Sequence, residues 1–143
     1  MNSLIYFAYG SNMIKKQMKS RCPGSELMGI AVLAGYRFMI NSRGVATIVE
    51  DPVLSVHGML WRISEENERA LDRYEGVANG VYVKKNVAVM PTTEHAEPLR
   101  AMAYIASDSR PGTARGGYLL GIIDAAERYA YPEKYVLELK KLA

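Results

Sequence analysis

The chain has 143 residues, of which 49% are hydrophobic and 23% charged, and this balance excludes an intrinsically disordered protein. No apolar run approaches the roughly 20 residues that cross a bilayer, and the first residues lack the charged and apolar regions of a secretory leader. The net charge of +3 is too small to indicate nucleic-acid binding by itself. We expect one domain spanning residues 1–143, with no membrane contact.

The cysteine and histidine content bears on compartment and metal binding. A lone cysteine, Cys22, rules out an internal disulfide, and a reducing cytoplasm is the simplest location. With only two histidines beside it, the chain has too few soft ligands for a dedicated metal site of the usual kind. We therefore expect a cytoplasmic protein without a bound metal.

The first half of the chain predicts strands interrupted by one short helix. Residues 4–9 form an apolar run typical of a buried strand, and residues 13–19 have helical character. Ser11 or Asn12 is expected to cap that helix. Four more strands follow at 27–33, 36–40, 45–49 and 56–62, with turn-forming breaks between them at Gly35, at 42–44 and at Asp51-Pro52.

The second half mixes helices and strands. A helix is expected from Ser64 to Tyr74 or Glu75, because acidic residues cluster at its start and Gly76 supplies a stop. A strand at 81–89, a polar hairpin loop at 91–98 and a strand at 100–106 come next. A loop at 107–117 precedes helices at 118–129 and 132–141, with Pro132 in the first helical position of the last one.

This order of elements predicts the fold class. It lacks the regular strand-helix alternation of a doubly wound parallel sheet. We expect an α+β fold, in which a mixed, largely antiparallel sheet curls into a partial barrel and helices flank it.

The loop Tyr9-Gly10-Ser11-Asn12 is the first candidate site. A strand that ends in Gly-Ser-Asn and enters a helix exposes backbone N–H groups near the positive end of the helix, which suits a carboxylate or an oxyanion. Gly10 allows a close backbone approach, and Ser11 and Asn12 add side-chain donors. The alternative is that Ser11 or Asn12 only caps the helix.

Glu75 is the second candidate. It lies at the negative end of its helix, where an anion is disfavoured by roughly 0.3–1 kcal/mol. It also follows Leu71 by four residues, on a face that should turn inward. Both effects would raise its pKa, as a general base near neutral pH requires. The alternative is a solvated glutamate just past the end of a helix.

Taken together, these segments resemble the γ-glutamylcyclotransferase family in order and over nearly the whole chain. Phe7 to Met13 resembles its Tyr-Gly-Ser-Asn signature loop, and Leu71 to Val77 with Gly80 to Val83 resembles the block that carries its catalytic glutamate. The other similar segments are 44–48, 57–61, 111–118, 126–127 and 132–135. The resemblance implies a mixed α/β barrel-like fold with the loop and the glutamate facing one cavity.

The resemblance also implies a reaction. In this family the α-amino group of a γ-glutamyl amide attacks its own γ-carbonyl and releases 5-oxoproline and a free amine, without cofactor or metal. It assigns the general acid/base to Glu75 and places Tyr9, Gly10, Ser11 and Asn12 around the glutamyl moiety. Tyr82 and Tyr118 match positions whose hydroxyls line the pocket. The partner is then a small-molecule γ-glutamyl substrate, and neither nucleic acid nor membrane is expected.

Several other residues have simpler interpretations. Cys22 is interpreted as a bystander, His57 as structural, His95 as solvated and Trp61 as part of the core. The basic residues at 15–21 are interpreted as a solvated face that could also steer an acidic substrate.

Two other functions stay open: a non-catalytic binding or regulatory domain with the same pocket, and a nucleic-acid binder that uses residues 15–21. The sequence does not identify the amine half, which we expect the loops 42–44, 78–80 and 107–117 to contact. The oligomeric state is open as well.

Overall fold

Five strands close into a barrel in the computed structural model, which describes residues 3–142. They are β1 (Ser3–Ala8), β2 (Glu26–Ile40), β3 (Ala46–Ser64), β4 (Tyr82–Pro91) and β5 (Leu99–Ala106). The order around the barrel is β1-β3-β2-β4-β5, and all neighbours are antiparallel except β1 and β5. Those two run parallel, with Tyr6 opposite Met102. The predicted mixed, largely antiparallel barrel is confirmed, and the parallel pair closes it completely.

Two long strands replace the four that the sequence suggested between residues 27 and 62. The predicted break at Gly35 is wrong, because Gly35 lies inside β2 at a register shift and adopts a φ of 86°. The break at Asp51-Pro52 is also wrong. Pairing with β2 jumps from Glu50 to Ser55, so that Pro52, which has no N–H to donate, faces no partner in β2. The turn predicted at 42–44 is confirmed.

Four α-helices lie outside the barrel: α1 (Lys15–Arg21), α2 (Glu65–Tyr74), α3 (Tyr118–Arg128) and α4 (Glu133–Lys140). The expected cap of α1 is wrong, since Ser11–Met13 forms a separate 3-10 turn and Ile14 precedes α1 without a side-chain cap. Pro132 is the N-cap of α4 and not its first helical residue. None of the helices among residues 3–142 is long and apolar enough to cross a membrane.

Helix α2 matches its prediction, and its ends explain where Glu75 points. Ser64 and Asn67 form a capping box at the N-terminus, and Gly76 adopts the left-handed conformation just after Glu75, with φ 64°. Leu71 is fully buried against the barrel. Residues four apart share a helix face, so the packing of Leu71 turns Glu75 toward the barrel as well.

Candidate active site

One cavity of about 410 Å³ collects every site residue that the sequence singled out. It lies between the end of β1, the turn after β2, the C-terminus of α2 and the loop before α3. The predicted residues that line it are Tyr9, Gly10, Ser11, Asn12, Glu75, Tyr82 and Tyr118. Residues that the sequence did not single out also line it, among them Tyr6, Arg21, Arg43, Tyr104 and Arg115.

Glu75 is partly buried in this cavity and follows the last residue of α2. Its backbone N–H donates to the Leu71 carbonyl at 2.8 Å, which fixes the position of its Cα. Burial raises the pKa of the Glu75 carboxyl to about 7, against the opposing positive charge of Arg21. No side chain among residues 3–142 donates a hydrogen bond to this carboxylate. The Glu75 carboxyl group is therefore free to form a hydrogen bond with a ligand, and it is about half ionised near neutral pH.

The loop after β1 presents backbone donors to the same cavity. Ser11 and Asn12 open the 3-10 turn, and their N–H groups have no acceptor within the part of the chain that the structure describes. Gly10 runs along the wall, where an added Cβ would lie 3.4 Å from the Ala46 Cβ and 3.6 Å from the Tyr118 hydroxyl. A side chain at position 10 would therefore take space from a ligand.

The side chains of this loop hold the cavity wall together. Asn12 Nδ2 donates to the Tyr6 hydroxyl at 2.9 Å, and Asn12 Oδ1 accepts from Arg21 and Gln17 at 3.0 Å each. Ser11 Oγ accepts from Gln17 Nε2 at 2.6 Å. The sequence expectation gave Ser11 and Asn12 side-chain donors to a ligand, whereas here they mainly orient neighbouring side chains.

Tyr82 and Tyr118 both form a hydrogen bond with the backbone of Ala46. The Tyr82 hydroxyl donates to the Ala46 carbonyl at 2.6 Å, and the Tyr118 hydroxyl accepts from the Ala46 N–H at 3.1 Å. Burial raises the pKa of both hydroxyls, so both stay protonated at neutral pH. Tyr82 can thus accept a hydrogen bond from a ligand, and Tyr118 can still donate one.

Tyr6, Tyr9 and Tyr104 also line the cavity. The Tyr9 hydroxyl donates to the Tyr104 carbonyl, and the Tyr104 hydroxyl donates to Asp72 Oδ1 at 2.7 Å. Lys84 bonds the other oxygen of Asp72 at 3.0 Å and thereby anchors this chain of contacts. Burial first, and the negative charge of Glu75 second, raise the pKa of Tyr6, so its hydroxyl lies within electrostatic reach of the carboxylate.

Arg21 links the loop to Glu75, and the sequence placed it on a solvated basic face. Its guanidinium bonds Asn12, lies 4.5 Å from the centre of the Tyr74 ring and lowers the pKa of Glu75. The exposed side chains of Lys15, Lys16 and Lys19 agree with the solvated interpretation, but Arg21 does not.

Replacing Arg21→Gln is expected to raise the pKa of Glu75 above its value of about 7, because the substitution removes a positive charge that favours the carboxylate. A titration of ¹³C-labelled glutamate side chains by NMR measures the change. Lys19→Gln removes an equal charge from an exposed position of the same helix and should leave the Glu75 titration in place. An Arg21→Gln titration that is unchanged or moved to lower pH would contradict this electrostatic assignment.

Cys22, His57, Trp61 and His95, to which the sequence gave no role in the site, are not among the described residues that line the cavity. Cys22 is buried, and burial raises the pKa of its thiol to about 11. Trp61 is buried and donates to the Asn12 carbonyl at 3.1 Å. Of the loops expected to contact the amine half, 42–44 and 107–117 reach the cavity, whereas no residue of 78–80 is among the described residues that line it. No metal-holding group of His, Cys, Asp and Glu occurs among residues 3–142.

This barrel with its polar cavity is the architecture of a known family. Residues 55–139 match the model of the AIG2-like family, which is more than half of the chain, and the protein belongs to that family.

The human and mouse γ-glutamylcyclotransferases are 28% and 27% identical to the chain, over 98% of it and 79% of each relative. A solved structure described as a γ-glutamyl cyclotransferase superposes with a TM-score of 0.90 at 26% identity, covering 99% of this chain and 89% of that one. The resemblance to this family is confirmed.

Proposed function

We propose that the protein is a cyclotransferase that converts a γ-glutamyl amino acid or amine to 5-oxoproline and the free amine, with Glu75 as general acid/base. The observation that carries the proposal is the shared cavity, in which a carboxyl of pKa about 7 lies with the free N–H groups of the loop after β1. The names of the relatives support the same class of reaction.

The reaction is an intramolecular transfer whose atoms balance without water. Glu75 takes a proton from the α-ammonium group of the glutamyl moiety, which turns that nitrogen into a nucleophile. The nitrogen attacks the γ-carbonyl carbon and closes a five-membered lactam. The bond from this carbon to the amine then breaks, and Glu75 returns the proton to the departing nitrogen. The attacking nitrogen loses its second proton as the lactam forms, and the free amine takes up this proton and leaves as an ammonium ion. Because both reacting groups belong to one molecule, holding the glutamyl chain folded supplies much of the rate.

The cavity contains groups suited to hold that folded chain. The N–H groups of Ser11 and Asn12 can bind the glutamyl α-carboxylate or the oxyanion that develops on the γ-carbonyl. The Tyr82 hydroxyl donates its hydrogen bond to the Ala46 carbonyl, so its oxygen can accept from the N–H groups of the substrate amine. The Tyr118 hydroxyl keeps a proton for a substrate oxygen.

Product analysis tests this proposal. The protein is incubated with a panel of γ-glutamyl dipeptides, glutathione and γ-glutamyl amines, and 5-oxoproline, glutamate and free amine are measured separately. We expect 5-oxoproline and amine in equal amounts from at least one member and no glutamate, since ring closure consumes no water. The matched α-glutamyl dipeptides should not react, because their amide is at the wrong carbonyl.

The alternatives give different results in the same assay. Glutamate in place of 5-oxoproline indicates hydrolysis and contradicts ring closure. Binding of γ-glutamyl compounds with no product from any of them indicates a non-catalytic binding domain with the same pocket.

A further inference from the structure

Two arginines from distant parts of the chain lie side by side on the cavity wall. Arg43 belongs to the turn between β2 and β3, and Arg115 belongs to the loop before α3. Arg115 Nε donates to the Arg43 carbonyl at 2.9 Å, and the Arg115 N–H donates to the Gly44 carbonyl at 3.1 Å. These bonds do not use the terminal nitrogens of either guanidinium group, which can therefore bind a ligand.

The two segments that carry these arginines pack closely against each other. A Cβ at Gly44 would lie 2.8 Å from the Arg115 Cγ, so the stem of Arg115 crosses directly over this turn. The Gly112 N–H donates to the Ile40 carbonyl at 3.0 Å, and a Cβ at Gly112 would collide with the Asn41 carbonyl. The backbone segments that carry the two arginines are therefore fixed next to each other, and the Arg115 side chain is held across the turn.

Neither arginine has an acidic partner. Among residues 3–142, no carboxylate lies within ion-pair distance of Arg43 or Arg115. Asp108 lies in the same loop as Arg115, but it accepts from the Ser42 hydroxyl and pairs with Arg110 at 3.1 Å. Two adjacent unpaired guanidinium groups repel each other, and an anion between them removes this repulsion.

The Tyr82 hydroxyl lies within electrostatic reach of both the arginine pair and Glu75. Burial and the Glu75 charge raise its pKa, and Arg43 and Arg115 lower it. The arginine that lowers the pKa of Glu75 itself is Arg21, which is not a member of the pair. In the proposed reaction the α-amino nitrogen must lie at Glu75. The glutamyl α-carboxylate shares a carbon with that nitrogen, so it stays at the Glu75 end. The part of the substrate that extends to the arginine pair is therefore its amine half.

We propose that Arg43 and Arg115 form an anion subsite for the amine half and that this subsite selects an acidic amino acid, which offers two carboxylates to two guanidinium groups. This inference rests on the proposed function and narrows its substrate class. Guanidinium groups pair with carboxylates through two parallel hydrogen bonds, so each arginine can hold one carboxylate. A neutral amine leaves both charges unpaired, and a neutral amino acid leaves one.

The test compares γ-glutamyl-aspartate with γ-glutamyl-asparagine, which differ only in one carboxylate or amide of equal size. We expect the wild-type protein to release 5-oxoproline from the aspartate compound with a kcat/KM about tenfold or more above that for the asparagine compound, the range of one charge-assisted hydrogen bond. Added salt should reduce this ratio, because the arginines are exposed.

Arg115→Gln and Arg43→Gln should each bring the ratio close to one while the asparagine compound is still cyclised. Arg128→Gln is the matched control, since it removes an equal charge from an exposed arginine of α3 that is not part of the cavity, and its ratio should equal that of wild type.

The possible failures are distinguishable. Wild-type cyclisation of both dipeptides at equal kcat/KM, or a preference that survives in both cavity variants, overturns the anion subsite and leaves the proposed function standing. Release of 5-oxoproline from neither dipeptide, nor from any member of the wider panel, overturns the proposed function and the subsite with it.

Discussion

Glu75→Gln is expected to lower kcat for 5-oxoproline release by about 10²- to 10⁴-fold, the usual contribution of a positioned general acid/base. The amide keeps the size of the carboxyl group but cannot take a proton from the α-ammonium group. The substrate nitrogen then stays protonated and cannot attack the γ-carbonyl. Among the described residues that line the cavity, no other group replaces this step, because burial keeps the tyrosine hydroxyls protonated at neutral pH.

Steady-state kinetics with a γ-glutamyl dipeptide at pH 8 measures this loss. Glu66→Gln is the matched control, because Glu66 is an exposed residue of the same helix, and its kcat should equal that of wild type. A Glu75→Gln protein that keeps more than about a tenth of wild-type kcat would remove Glu75 from the role of acid/base.

The same substitution is expected to stabilise the fold above pH 7. Burial raises the pKa of Glu75 from 4.5 to about 7 in the folded protein, whereas the unfolded chain loses this proton near the ordinary value. Between these two pH values the folded state binds more protons than the unfolded state, so stability falls as the pH rises. Above pH 7 the cost of the buried carboxylate is on the order of 3 kcal/mol. Glutamine carries no charge and avoids this cost.

Urea unfolding of both proteins at pH 4.5, 6 and 8 measures the effect. The free energy of unfolding of Glu75→Gln should exceed that of wild type at pH 8, and the difference should shrink toward pH 4.5, where the wild-type carboxyl is protonated in the folded state and about half protonated in the unfolded state. A difference that does not change with pH would contradict the raised pKa. A more stable, inactive variant also shows that the loss of activity does not come from unfolding.

Local sequence signals predicted the elements that begin or end at residues with a strong capping or backbone preference. Ser64 and Gly76 fixed the limits of α2, because a capping box and a left-handed glycine act within a few residues. Gly35 and Pro52 gave the same kind of signal, yet they lie inside long strands. The strands continue through both residues because the pairing register between β2 and β3 shifts there. Such a shift depends on how two strands pair, and local sequence signals do not show that pairing.

Some residues of the candidate site could be predicted from local sequence signals, and others could not. The loop after β1 and Glu75 could be predicted, since each lies next to a recognisable end of a strand or helix. Arg43 and Arg115 could not be paired, because 72 positions separate them and only closure of the barrel brings their loops together. Arg21 belonged to a basic run whose lysines are indeed exposed, and nothing in the run distinguishes the side chain that turns inward.

The pH dependence of kcat/KM for 5-oxoproline release, measured in wild type from pH 5 to 9, is the sharpest test of Glu75 as the acid/base. We expect the rate to rise through an inflection at about pH 7, where Glu75 loses its proton, and this rise to be absent from the residual activity of Glu75→Gln. A wild-type rate that is flat from pH 5 to 8, or an inflection that persists in the variant, would contradict this role of Glu75.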